Sequence, residues 1–174
     1  MRFTRHRKKV RANPDAVEAQ MLARLARELL ELIEGPEQSD DPLAAMVGLP
    51  PGEVNPPDNA VLARLLPDAY RDDPAAATDF RRYTDGELRR QKRANATALL
   101  DSLPEEGGTF DLDRDQVDAW LGALNDMRLA LGTAHDVQED TELEDSEEPA
   151  LHIYGWLGYL QESLLSCVDP RPSH

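Results

Sequence analysis

Apolar residues recur at helical spacing along most of the chain. Val17, Met21, Leu25, Leu29 and Leu32 follow one another at intervals of four and three, the pattern of one helix face. Asn13-Pro14 supplies a start, with Asn13 as N-cap and Pro14 at the first helical position, where a missing N–H costs nothing. Gly35-Pro36 supplies a stop, so this helix is expected to run to about Glu34. The proline-rich stretch 35–57 leaves room only for a short helix from Pro42 to Val47. Leu62, Leu65 and Leu66 predict another short helix ending at Pro67, and Asp73-Pro74 restarts one. Thr84 with Glu87 reads as a capping box that opens a further helix to about Ser102, with Leu88, Asn95, Leu99 and Ser102 on its inner side.

After Gly107-Gly108, residues 109–112 read as a short strand, and Asp113 with Gln116 reads as a second capping box. The helix it opens should reach about Ala134, with Val117, Trp120, Leu121, Leu124, Met127 and Leu131 as its stripe. Pro149 opens the last helix. Its Leu151, Tyr154, Trp156, Leu157, Leu160 and Leu164 are apolar on more than one side, which implies a central position. Asp15-Ala16-Val17-Glu18-Ala19 is echoed by Asp115-Gln116-Val117-Asp118-Ala119, each behind a possible strand. A two-stranded pairing of 8–11 with 109–112 is therefore expected. The fold class is mainly α, a bundle of about five to six helices with that small β pairing. A basic arm 1–13 precedes a single domain 14–170, and a short tail 171–174 follows it.

Charge adds a functional dimension to this frame. The net charge is −15, a field that repels nucleic acid and anionic membrane. The charge is segregated. Arg2, Arg5, Arg7, Lys8, Lys9 and Arg11 crowd the N-terminus, and six Arg or Lys lie between Arg81 and Arg93. The acidic segment 136–148 is too charged to bury and is expected to be a mobile loop. Arg82, Arg89 and Arg93, spaced by seven and four, share a helix face with Lys92 beside them. That stripe, together with the arm residues Arg5, Arg7, Lys8, Lys9 and Arg11, is the candidate contact surface for nucleic acid or a protein partner. The plain alternatives are a solvated face paired with the chain's own acids and a disordered terminus.

Catalytic chemistry finds little support. Asp111, Asp113 and Asp115 alternate like the start of a calcium loop, but Gln116 and Gly122 stand where Gly and a bidentate Glu are needed, so helix capping is the better reading. The four histidines have no zinc-site spacing, and no phosphate loop or nucleophile motif is present. No cofactor, metal or enzymatic role is expected. No apolar run approaches the roughly 18 residues of a membrane span, so a cytoplasmic location is expected. Cys167, the single cysteine, lies among Leu164, Leu165 and Val168, where a thiol is usually an inert packing group.

Three strings look familiar together: 63–70 (Ala63 to Tyr70), 120–133 (Trp120 to Thr133) and 154–164 (Tyr154 to Leu164). In order and over nearly the whole chain, they resemble the actinomycete oxidative-stress regulator family, formerly a domain of unknown function. The resemblance implies a cytosolic regulator that senses oxidation through a cysteine pair and acts on transcription with an alternative sigma factor. One cysteine cannot close an internal disulfide, so Cys167 would be a redox residue only through a second molecule. An acidic body suits a basic protein partner such as a DNA-bound sigma factor, with DNA contact secondary. The expected function is therefore transcriptional regulation mainly through protein–protein contact. The alternative is an adaptor with no DNA-related role.

Overall fold

The computed structural model describes residues 1–34, 59–67, 74–138, 141 and 147–168, and between 74 and 83 only the side chain of Ala75. In chain order the elements are β1 (Thr4–His6), β2 (Lys9–Ala12), α1 (Ala16–Glu34), α2 (Ala60–Leu65), α3 (Pro74–Ser102), β3 (Phe110–Leu112), α4 (Arg114–Ala134) and α5 (Pro149–Val168). The protein is mainly α. The expected short helix at 42–47 and tail 171–174 lie outside the described residues.

The three strands form one antiparallel sheet in the order β1-β2-β3. Val10 stands opposite Leu112 and Ala12 opposite Phe110, so the expected pairing of 8–11 with 109–112 forms over residues 10–12 and 110–112. The basic arm adds what the sequence reading omits: residues 4–12 are a hairpin, with His6 opposite Lys9 and Arg7-Lys8 as its turn. Strand alternation explains why so charged a segment is ordered. Phe3, Val10, Ala12 and Leu112 point inward and are buried. Phe3 is further held by its N–H, which donates to Ser163 Oγ of α5 at 2.9 Å.

Helix α4 is the hub, packed against α1, α2, α3, α5 and β3. This corrects the expectation that α5 is central. α5 packs on α4 and β1 and leaves Tyr159, Leu165 and Val168 exposed. Trp120 of α4 is fully buried at the junction, edge-on to Phe3 at 5.6 Å and stacked on Phe110 at 5.3 Å. Its indole N–H donates to Ser102 Oγ of α3 at 2.8 Å, so the costliest polar atom in that core has a partner.

Two helix starts differ from expectation. The cap of α1 is Asp15, not Asn13: Asp15 Oδ1 accepts from Glu18 N–H and Glu18 Oε2 accepts from Asp15 N–H, a complete capping box. Thr84 and Glu87 open no helix, because α3 runs unbroken from Pro74 through Gly86 to Ser102. The Asp113–Gln116 capping box of α4 forms as expected. Of the acidic segment 136–148, residues 136–138, 141, 147 and 148 are described. Val137 N–H donates to Gly132 O at 2.8 Å, tying the segment's first residues to the end of α4.

Candidate functional site

The hairpin turns its two faces to opposite environments. Register places Thr4 beside Arg11, His6 beside Lys9, and Arg11 beside Asp111 on the outer face. Together with the turn, His6, Arg7, Lys8, Lys9, Arg11 and Asp111 line a shallow open concavity. Arg7, Lys8 and Lys9 are exposed. Among the described residues none of the three has an acidic partner at salt-bridge distance. Arg7 sits at φ 58, the left-handed backbone that favours glycine, at the first position of a two-residue turn.

One pair organises the concavity. Arg11 Nε and Nη2 donate to Asp111 Oδ1 and Oδ2 at 2.7 and 2.8 Å, a two-pronged bond. The hydrogen bond from Arg11 holds the Asp111 carboxyl below its usual range, and Arg11 is raised in return. His6 and Lys9 also lower Asp111.

Arg5 stands on the other face of β1, toward the end of α5, where its charge and that of Arg2 act on Cys167. Cys167 is 8% exposed, and its thiol donates to Ser163 O at 3.3 Å. Burial pushes the thiol up, and the Ser166 hydrogen bond and the two arginines offset this in part. A raised thiol has little thiolate to react with oxidants at neutral pH.

The α3 stripe has a different fate. Arg89 Nε donates to Asp85 at 2.6 Å and its Nη1 to the carbonyl of Ile33 at 2.7 Å, capping the last turn of α1. Lys92 Nζ reaches Asp126 of α4 at 2.5 Å, and Arg93 pairs with Glu34 of α1 at 3.7 Å. Arg89 and Lys92 tie the bundle together, whereas Arg93 stays exposed beside Glu34. The side chain of Arg82 lies outside the described residues.

Sequence reasoning missed Asp126, the one buried charged residue among those described, at 2% exposure. Burial raises its carboxyl and the bond from Lys92 opposes that rise. It also missed Arg128 of α4, whose guanidinium lies 4.7 Å from the Tyr154 ring centre and donates to Gln161 and Tyr154 of α5. Asp113 caps a helix and Asp111 pairs with Arg11, so two of the three alternating aspartates have structural partners.

A family model described as "Domain of unknown function (DUF2017)" matches residues 1–168. The oxidative stress regulator AosR of Mycobacterium tuberculosis (strain H37Rv) is 34% identical over 167 residues, an alignment covering 85% of this chain and 77% of that protein. The putative oxidative stress regulator AosR of Mycobacterium leprae is 35% identical over 170 residues, with the same coverage. No solved structure matches the chain.

Proposed function

We propose, since this chain belongs to the DUF2017 family, that it is a cytosolic regulator of the oxidative-stress response. It acts mainly through contact with a sigma factor or another part of the transcription machinery. The names of its relatives support a regulatory rather than a catalytic role. The observation on this chain that carries the proposal is the three-dimensional segregation of charge. Arg7, Lys8 and Lys9, which have no acidic partner among the described residues, gather at the end of the hairpin, on a molecule whose net charge is −15. The acidic body is complementary to a basic protein, and the hairpin can meet DNA that such a partner holds. Internal disulfide sensing is not part of this function, because the chain has one cysteine and that cysteine is buried.

The test is affinity purification of the tagged protein from untreated and peroxide-treated cells, read by mass spectrometry. A sigma factor or RNA polymerase subunit should be enriched in at least one condition. Recovery of a defined assembly with no transcription component in either condition would establish the adaptor role instead.

A further inference from the structure

We infer that the concavity at the end of the hairpin is a site for the phosphates of duplex DNA, engaged without regard to sequence, and that Asp111 restrains it from within. This assignment rests on the regulatory role proposed above and names the ligand of its basic surface. Four cations, Arg7, Lys8, Lys9 and Arg11, and the imidazole of His6 face a single carboxylate there. Each cation that neutralises a phosphate releases counterions from DNA, which gives affinity independent of base identity.

Two features favour duplex phosphate over an acidic protein or a single strand. The pleat sends Phe3, Val10, Ala12 and Leu112 into the core, leaving Thr4, His6, Lys9, Arg11 and Asp111 on the outer face. That face holds no Phe, Tyr, Trp or aliphatic side chain, whereas protein interfaces draw their energy from buried anchors of that kind. Its one ring is the small imidazole of His6, where single-strand binders lay successive bases on several aromatic rings. What remains is a hairpin tip, His6 to Lys9, that runs past the last β2–β3 pair, Val10 with Leu112, and carries its cations beside Arg11, a chemistry that positions a protein on the backbone.

Asp111 gives the site its restraint. Its two oxygens occupy the Nε and Nη2 donors of Arg11, the same fork that would grip a phosphate. An incoming phosphate must displace Asp111 and meets its negative charge. The hairpin alone then holds DNA weakly, and firm binding needs a protein partner on the same DNA. Arg7 occupies the strained apex, where glycine would be easier, so the turn keeps a guanidinium at its tip at some conformational cost.

Fluorescence anisotropy of the purified full chain on a labelled duplex of arbitrary sequence, across a salt series, tests this. Wild type should bind weakly, with affinity falling linearly in log–log form as salt rises. Asp111→Asn should bind several-fold tighter, with a slope steeper by about 0.9 for the one further phosphate that Arg11 then neutralises. Combined Arg7→Gly, Lys8→Ala and Lys9→Ala should weaken binding by more than about tenfold and flatten the slope by about 0.9 for each phosphate left without its cation. Arg7→Gly alone relieves the turn, so its weaker binding cannot be ascribed to misfolding. Absence of duplex binding at low salt, equal binding by the triple variant, or no gain in Asp111→Asn would overturn the assignment. Stronger competition by poly-glutamate than by unlabelled duplex would replace it with an acidic-protein contact. If these fail while transcription components still co-purify, the phosphate site falls and the regulatory role stands. Hairpin-dependent duplex binding without such components sinks the role and keeps the site.

Discussion

The hairpin and helix α3 are both rich in basic residues, yet the fold disposes of their charge in opposite ways. On α3, Arg89, Lys92 and Arg93 find Asp85 one turn away, Asp126 on α4 and Glu34 on α1. On the hairpin, Arg7, Lys8 and Lys9 project away from the bundle, and among the described residues the one carboxylate lining their concavity, Asp111, is taken by Arg11. Helical spacing in an acidic bundle turns cations toward the acids of neighbouring helices, and strand alternation at an end turns them out. Basic density along a sequence is therefore a poor measure of basic surface. Position in the fold decides which cations remain to meet a partner.

The sharpest way to break this contrast is to remove an internal pair. Lys92→Met leaves Asp126 buried with no cation, and should cost about 3–5 kcal/mol in urea unfolding at neutral pH. The double variant Lys92→Met with Asp126→Leu should recover most of that loss, since the desolvated charge is gone. The pH dependence has a definite sign. Burial holds Asp126 above its ordinary value of 3.8, so the folded state binds its proton more tightly than the unfolded state. Its contribution is most favourable at low pH and is lost as pH rises through the folded pKa. Without Lys92, which pulls the carboxyl down, that loss deepens. The deficit of Lys92→Met should thus shrink toward pH 4 and grow toward neutrality. A deficit flat across that range would point to lost packing rather than to the carboxylate.

Arg89→Ala should have a smaller effect, because the carboxylate it leaves behind, Asp85, is less buried than Asp126. It removes the bond to Asp85 and the cap on Ile33 O, together about 1.5–3 kcal/mol for a charge-assisted interaction. Arg89→Lys should restore only part, since an ammonium cannot serve both acceptors as a planar fork does. Hydrogen exchange localises the loss. Faster exchange should concentrate in the last turn of α1, and uniform protection there would show that the arginine does not act as its cap.

How much of this was legible in the sequence depended on whether partners were local. The capping box of α4 and its stripe are visible because Asp113 and Gln116 lie three apart and the buried residues are large. In α1 the same device was displaced. The core face is Ala19, Leu22, Ala23, Ala26, Leu29 and Ile33, while Val17 is 73% exposed. Alanines that bury completely read weakly as apolar, so the larger Val17, Met21 and Leu25 drew the stripe toward one edge of the core face, where Leu25 and Leu32 are only partly buried. The repeat shares this displacement. Matching the caps Asp15 and Asp113 aligns buried Ala19 with Val117, Leu22 with Trp120 and Ala26 with Leu124, whereas matching Asp15 to Asp115 aligns exposed Val17 with buried Val117. At the candidate site, the hairpin cations were visible by type, but the fate of α3 was not. Lys92 and Asp126 are 34 residues apart, Arg89 and Ile33 are 56 apart, and no spacing rule reaches that far.

The smallest effect on stability should come from the most basic surface. Replacing Arg7 with Gly and Lys8 and Lys9 with Ala removes three cations that form no ion pair among the described residues, so thermal unfolding should shift by no more than about 2 °C. The direction can even be upward. Glycine accepts the left-handed backbone that Arg7 holds at φ 58 without a side-chain clash, and removing adjacent like charges relieves repulsion at the turn. Added salt should therefore stabilise wild type slightly more than the triple variant, because screening does for the first what substitution has done for the second. A drop of many degrees would mean that Arg7, Lys8 or Lys9 holds the sheet together, and the hairpin would then belong with α3 among the structural uses of positive charge.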